Sequence, residues 1–540
     1  MRLKRCHAAV ALVLFAFFTL ALLAEPTAQR DNADADRFGG LAGGPYKRLV
    51  IQNAKVIPGH GGPPAGPYDI VIEGDTITEM RAFDQVTAKR QGKTERPTGD
   101  RVIDASGMYV MPGLIDLHMH LRTEPMPLEY VYYLKLAHGV TSLVPAPDRG
   151  LDAAMEQARL SAENEILAPR MHPIWNWANL DGYSRDELED PAQAPRIAKA
   201  IAANGMRVVS VGSLAWQPEL FGAVCKAVWE AGGITTVHLP PSTNAVVNAV
   251  DAARLGVTMI EHHYGYAEAS LDRTTQDFPR EYDFNDEAER FRHAGKVWVE
   301  ANRERLLTDV AQELADSGVA MLPTRVVYEA NRDILRAQAL PWHEKYTHRA
   351  LWRWNLPDPA YHGAYHWDWT SDDEAYWSTA FELWGKLIFE FNKRGGRVAY
   401  GTDDNYIWAT PGFSNVRELQ LLRETGLHPL EVLRAATQAS AVTLREPKLG
   451  LVRPGFTADL VIVDGNPAYN LRFLYSFGAL TLDPQRKMHR TRGIVHTIKD
   501  GLVIENAKLM AEVEKMVAAS KKEQKPDMVT TPFVTTPSQR

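Results

Sequence analysis

Only two cysteines occur in 540 residues, so no disulfide framework holds this chain together. Cys6 precedes the first apolar run, whereas a lipid-carrying cysteine would follow one. Cys225, in "FGAVCKAVWEAGG", has an apolar, helical setting that reads as a buried structural thiol rather than a nucleophile. Basic tracts are also lacking: 60 Lys and Arg stand against 67 Asp and Glu, a formal charge of −7, which excludes a nucleic-acid surface built on charge. No glycine-rich dinucleotide loop follows the first strand-like segment. One long hydrophobic run exists, "AAVALVLFAFFTLALLA" from Ala8 to Ala24, behind Arg2, Lys4 and Arg5. It reads as a secretory signal over residues 1–24, hence an exported, periplasmic or secreted protein; an uncleaved membrane anchor is the alternative. Without that anchor no stable membrane association is expected.

What remains is ordinary globular composition, 45% hydrophobic and 24% charged, enough for a sizeable core. Two textures alternate along it. "RLVIQNAKVIPG", "YDIVIEGDTITEM" and "RVIDASGMYVMPG" near the start, and "GFTADLVIVDGNP" and "IVHTIKDGLVIENA" near the end, are short β-branched runs punctuated by Gly, Pro and Asp. They predict a small composite β-sandwich domain built from both chain ends, residues 46–111 and 447–505. Between them, apolar strands introduced by glycine alternate with amphipathic helices: "HGVTSLVPAPD", "GMRVVSVGS", "GITTVHLPP", "VTMIEHHYG", "GVAMLPTRVV" and "GGRVAYGTDDN". That alternation predicts an α/β fold, a (β/α)8 TIM barrel over 112–446. An aromatic stretch near 328–384 interrupts it and reads as a lid over the barrel mouth. Residues 506–540 read as a C-terminal helix and a mobile tail.

The chemistry gathers at the predicted strand ends. "VMPGLIDLHMHLR" closes an apolar strand on His118 and His120, two residues apart and therefore on one face. His238 ends "TTVH", His262 and His263 follow "MIE", and Asp403 follows "AYGT". Each histidine alone would count as structural. Together they occupy corresponding positions in separate βα units, and imidazole plus carboxylate suits zinc with an open position for water.

With these residues in place the chain resembles the amidohydrolase superfamily, metal-dependent hydrolases of the imidazolonepropionase and prolidase kind. The resemblance runs from Arg48 to Asn506 and rests on "PGLIDLHMH", "HGVTSLV", "VHLP", "IEHHYG", "GTDD", "KLGLVRPGFTADLVIVDGNP" and "IKDGLVI". It implies metal ligands His118, His120, His238 and Asp403, with Asp403 also the proton shuttle and His262 a catalytic group or further ligand. It leaves His263 a packing role, Asp404 a loop-capping role, and Asp116 a hydrogen bond that orients a ligand. Two departures from the family pattern narrow the expectation. Ser210 stands where two-metal members carry a carbamate-forming lysine, so one divalent ion, zinc, is expected rather than two. Pro241 stands where mononuclear deaminases carry a glutamate three residues after the strand 5 histidine, so hydrolysis of an amide-like C–N bond, in a peptide or a cyclic amide, is preferred. Deamination is one alternative, and a non-catalytic binding protein on the same fold is the other. The expected partner is a small-molecule substrate, with Arg325 and Tyr264 as its binding residues. An oligomer is compatible with the sequence.

Overall fold

The computed structural model describes residues 38–522 except 93–94, 122–125, 149, 272–279, 281, 284–285, 357–365 and 367. The expected signal and the tail beyond 522 therefore lie outside the described residues. Strands β1 (Ala42–Gly43), β2 (Arg48–Val56), β3 (Ala65–Glu73), β4 (Thr76–Ala82), β5 (Arg101–Asp104) and β6 (Tyr109–Pro112) come first. The parallel series follows: β7 (Leu114–His120), β8 (Val140–Ala146), β9 (Arg170–Met171), β10 (Ile174–Asn176), β11 (Val208–Ser210), β12 (Ile234–Val237), β13 (Met259–Glu261), β14 (Ala320–Leu322) and β15 (Arg397–Val398). Last come β16 (Leu460–Asp464), the hairpin β17 (Leu480–Leu482) and β18 (Met488–Arg490), then β19 (Gly493–Lys499) and β20 (Leu502–Glu505).

The two chain ends share one nine-stranded sheet, in the order β1-β20-β19-β16-β6-β2-β3-β4 with β5 beside β2. Its central seam is the antiparallel pair β6 and β16, with Val110 opposite Ile462. Alternating Ile, Val and Leu side chains of β2, β3, β16 and β19 form a separate small core. Gly113 carries the chain from this sheet into β7. A Cβ there would collide with the Thr141 side chain, so a glycine lets β7 and β8 come this close.

The parallel strands lie in two hydrogen-bonded runs, β7-β8-β9 and β10 through β15. Further backbone bonds join the last strand to the first: Leu117 N–H donates to Tyr400 O at 2.9 Å and Thr402 N–H to His118 O at 3.0 Å. Ile115, Leu117, Val144, Ile174, Val208, Ile234, Met259, Ala320, Leu322 and Ala399, one or two from nearly every strand, pack into a common core. Both faces are covered, which is why these strands read as continuous apolar runs rather than alternating ones. The segment between β9 and β10 was not legible as a strand, because Pro169 and Pro173 interrupt "PRMHPIWN".

Helices cover the outside. The longest, Ser371–Lys393, opens with a Thr370–Asp373 capping box and acids Asp372, Asp373 and Glu374 in its first turn, and closes on Lys393. It buries Trp377 and Trp384, each contributing about 2–3 kcal/mol of apolar burial. This helix runs unbroken past 384 and leads into β15, so the predicted lid shares its last residues with a packed helix. The C-terminal helix Asn506–Lys522 lies on Leu128–Ala137, and Asn506 Nδ2 donates to Ala137 O at 2.7 Å. Among the described residues no helix is long and apolar enough to cross a membrane.

Candidate metal centre

Strand β7 delivers His118 and His120 with ring centroids 5.5 Å apart. Across the seam, Asp403 N–H donates to His118 O at 2.7 Å, which sets the carboxylate beside both rings. Asp403 and His262 both have positive φ, 53° and 64°, a conformation non-glycine residues adopt where surrounding contacts impose it. Asp403 Oδ1 lies 3.3 Å from His118 Nε2 and 3.2 Å from His120 Nε2, and Asp403 Oδ2 lies 3.6 Å from His262 Nδ1. Despite these distances Asp403 Oδ1 is buried and accepts no hydrogen bond of acceptable geometry. Two imidazole nitrogens converging on an unsatisfied carboxylate oxygen fit a divalent cation. One donor atom from each of His118, His262 and Asp403 lies within 4.8 Å of the others, and the same holds for His238, Glu261 and His262.

These groups line a cleft of about 330 Å³ with Ser210, Arg290, Val327, Tyr328 and Tyr406. The five positions expected to act at the metal, His118, His120, His238, His262 and Asp403, meet there. Tyr264, expected to bind substrate, does not line this cleft: its ring stands 5.2 Å from that of His238 and faces a neighbouring cavity beside His263 and Trp298. His263 points away from the cleft, accepts from Trp298 Nε1 at 3.3 Å and packs on Trp377 and Trp384.

Three expectations need correction. Arg325 does not reach the cleft: it is buried beneath Phe381 and Trp384 and lines a different cavity. Thr324, before it, has φ 50° and turns the chain, so proximity to the end of β14 does not aim Arg325 at the metal ligands. Asp116 reaches His118 only through its backbone, accepting from His118 N at 3.4 Å and not from an imidazole; its carboxylate also accepts from Thr402 N at 3.0 Å, Thr402 Oγ1 at 2.7 Å, Asn415 Nδ2 at 2.8 Å and Lys135 Nζ at 2.8 Å. Asp404 caps no loop; it pairs with Lys135 Nζ at 2.5 Å and accepts from Ser414 Oγ at 2.6 Å.

The groups that set the ligands were not anticipated. His120 Nδ1 lies 3.1 Å from Asp148 Oδ1 and 3.2 Å from Tyr406 Oη, which leaves Nε2 facing Asp403. His262 Nδ1 and Thr324 Oγ1 are 2.7 Å apart, and Glu261 Oε1 lies 3.2 Å from His118 Nδ1. Lys135, fully buried, ties Asp116 and Asp404 together under the turn that carries Asp403. Of these, only Glu261, next to the paired histidines, carries a signal in the sequence; the rest become neighbours through folding.

Charge in the cleft is polarised. Burial disfavours a charged His118, yet Glu261 and Asp403 outweigh it and hold its pKa well above the usual 6.5. Burial lowers His262 to about 4 against the pull of Asp403, and burial with His262 nearby also depresses His238. Burial opposes ionisation of Asp403, but His262 and His118 hold its carboxyl well below the usual range. Cys225 is buried with its thiol raised to about 12 by burial, consistent with an inert structural thiol.

A sequence model of the amidohydrolase family matches residues 388–504. Among curated proteins, the chain is 29% identical over 214 residues to adenine deaminase 2 of Rhizobium etli, covering 36% of this chain and 35% of that one. It is 30% identical over 258 residues to N-acyl-D-glutamate deacylase of Alcaligenes xylosoxydans xylosoxydans, covering 40% and 49%. The aligned part thus spans at most about half the length of these two relatives. Among solved structures, bottromycin amidohydrolase superposes with a TM-score of 0.58 at 17% identity over 92% of this chain and 94% of that one. A. niger ochratoxinase does so with a TM-score of 0.52 at 16% identity over 84% and 95%. Residues 388–504 thus match the amidohydrolase family, and nearly the whole chain shares its fold with these solved amidohydrolase structures.

Proposed function

We propose that this protein is an exported hydrolase that cleaves an amide-like C–N bond at one divalent-metal centre at the mouth of a closed (β/α)8 barrel. The observation that carries the reading is the convergence of His118 and His120 on the unsatisfied Asp403 Oδ1. The bonds from Tyr400 and Thr402 to β7 support closure of the barrel, and the sheet shared by both ends supports a second, composite domain. His118, His120, His238 and Asp403 would hold the ion, zinc by the character of the donors. Such an ion supplies Lewis acidity and lowers the pKa of a water from 15.7 to about 7.

The chain's own groups do the rest. Asp403, ionised and within reach of the cleft centre, takes the proton of the attacking water and returns it to the leaving nitrogen. His262 is neutral at neutral pH; in the tautomer whose Nδ1 accepts from Thr324 Oγ1, its Nε2–H would stabilise the oxygen that gains charge at the substrate carbonyl. Val327, Phe291 and Ile407 give the cleft apolar wall segments that suit the carbon skeleton of a small organic amide. Pro241, at the start of a short turn, brings no acid to protonate a ring nitrogen, which favours amide hydrolysis over deamination.

The two curated relatives are a deaminase and a deacylase, so the test must separate those chemistries. Zinc-loaded protein is offered N-acyl amino acids, dipeptides, a cyclic amide and adenine, with amine, carboxylate and ammonia release measured separately. Amine and carboxylate release is expected, collapsing in Asp403→Asn while the ion is largely retained. Ammonia from adenine alone would replace the reading by deamination, and no turnover of any kind would favour a binding protein. A second reading concerns stoichiometry: His238, Glu261 and His262 form a second donor group, which favours two ions with Glu261 offsetting the lysine absent at Ser210. Metal content of about one or about two ions per chain decides between them.

A further inference from the structure

One stretch of the metal cleft wall has no part in the chemistry proposed above. Asn176 at the end of β10 and Ser210 at the end of β11 both line the cleft. They are register partners across a parallel pair, and Ser210 is in turn the partner of Thr236 on β12. Three polar side chains thus share one face, in a row on neighbouring strands about 4.8 Å apart.

Thr236 is already engaged: its Oγ1 donates to Glu261, which lies beside His118. The other two are not. Asn176 Oδ1 accepts from Ala178 N–H at 3.1 Å, which fixes the orientation of the amide and leaves Nδ2 as its donor. Neither Asn176 Nδ2 nor Ser210 Oγ has a hydrogen-bond partner among the described residues. Both side chains can be reached from the cleft, Asn176 being exposed and Ser210 partly so.

A donor pair in this place selects among amides. With the scissile carbonyl at the metal, a second oxygen of the same molecule is repelled by the carboxylates Asp403 and Glu261 on the cleft wall, whereas at β10 and β11 it meets donors. Strand β11 lies four strands from β15, which leads to Asp403. One carbonyl oxygen has two lone pairs for the two donors, and a carboxylate has an oxygen for each. We infer that Asn176 and Ser210 form a specificity subsite for a second acceptor oxygen, so the preferred amide carries a further carbonyl or carboxylate beside the bond that is cut, as an N-acyl amino acid does. This rests on the metal cleft being the place of amide cleavage.

The test is a ligand-observed NMR titration of the full-length, zinc-loaded protein, with acetate release read from the same spectra. Probes come in sets that differ only in the second oxygen: N-acetylglycine and its amide against N-ethylacetamide, and N-acetyl-leucine and its amide against N-isopentylacetamide. At least one oxygen-bearing probe should bind about tenfold or more tightly than its partner. Ser210→Ala loses no protein contact, and Asn176→Asp keeps the acceptor for Ala178 N–H while removing the donor. Each should shrink that gap about threefold or more at matched metal content. If a carboxylate is the group recognised, Asn176→Asp weakens the acid more than its amide, because it sets two carboxylates together; equal weakening identifies a carbonyl. Equal binding within every set, no binding of any probe, or a gap undiminished in both variants would overturn the inference. Oxygen-dependent binding without acetate release leaves the subsite standing and counts against amide cleavage, whereas acetate release without discrimination does the reverse.

Discussion

Replacing Lys135 by methionine probes whether the buried charge cluster under Asp403 supports the site. Lys135 Nζ touches Asp116 at 2.8 Å, Asp404 at 2.5 Å, Asn415 Oδ1 at 2.9 Å and Thr402 Oγ1 at 3.3 Å, and all three charged side chains are fully buried. Methionine fills comparable volume, so the loss is chiefly electrostatic. Removing one partner of a buried ion pair costs about 3–5 kcal/mol, because the remaining charge stays desolvated. Here two carboxylates would be left, and protonation of one relieves part of that cost. The folded variant then holds a proton that its unfolded chain has released, so stability should fall further as pH rises. We expect a loss of about 3 kcal/mol near pH 5 and more near pH 8, read from urea unfolding at both pH values with metal loading matched. The Thr402–Asp403 turn should loosen as well, lowering metal affinity, while Lys135→Arg restores part of both. A Lys135→Met variant within about 1 kcal/mol of the parent at pH 8, with unchanged metal affinity, would refute the reasoning.

Three further outcomes follow from the same geometry. His120→Ala should lose most of its bound ion after dialysis against a weak chelator, as read by elemental analysis; full occupancy would remove His120 from the ligand set. Asp148→Asn, which weakens the acceptor at His120 Nδ1, should reduce metal affinity about 10- to 100-fold in a competition assay without unfolding the chain. Glu418, raised to about 8, keeps its proton in the folded state after the unfolded chain has lost it near 4.5, so it makes stability decline as pH climbs from about 4.5 through 8. Glu418→Gln retains the acceptor for Val326 N–H and should flatten that decline in thermal melts.

The meeting of His118, His120, His238, His262 and Asp403 in one cleft was legible because a parallel strand ends in a fixed place, so these positions could be aligned from strand signals. Their supports were not legible. Asp148 meets His120 from 28 residues away and Tyr406 from 286, and nothing local in "APDRG" or "DNYIW" announces either. Lys135 lies in "EYVYYLKLAHG", where a lysine normally marks the solvent face, and only the fold shows it turned inward onto two aspartates. Arg325 misled for a backbone reason: alternation along a strand predicts side-chain direction only until a residue such as Thr324 leaves the extended region. The nine-stranded sheet was foreseeable as a union of both ends, because β-branched runs there had no other partners, although its pairing of β6 with β16 was not.

That pairing has a consequence for how the molecule is made. Strand β6 runs through Gly113 directly into β7, so the strand carrying His118 and His120 is anchored in a sheet whose seam joins Val110 to Ile462. During synthesis β6 has only its N-terminal neighbour β2 until β16 emerges, and β19 and β20 complete the far edge later still. Contacts of such sequence separation form slowly, and unpaired strand edges wait exposed in the meantime. The strand that carries His118 and His120 thus depends on a sheet whose last pairings join residues more than 350 apart in sequence.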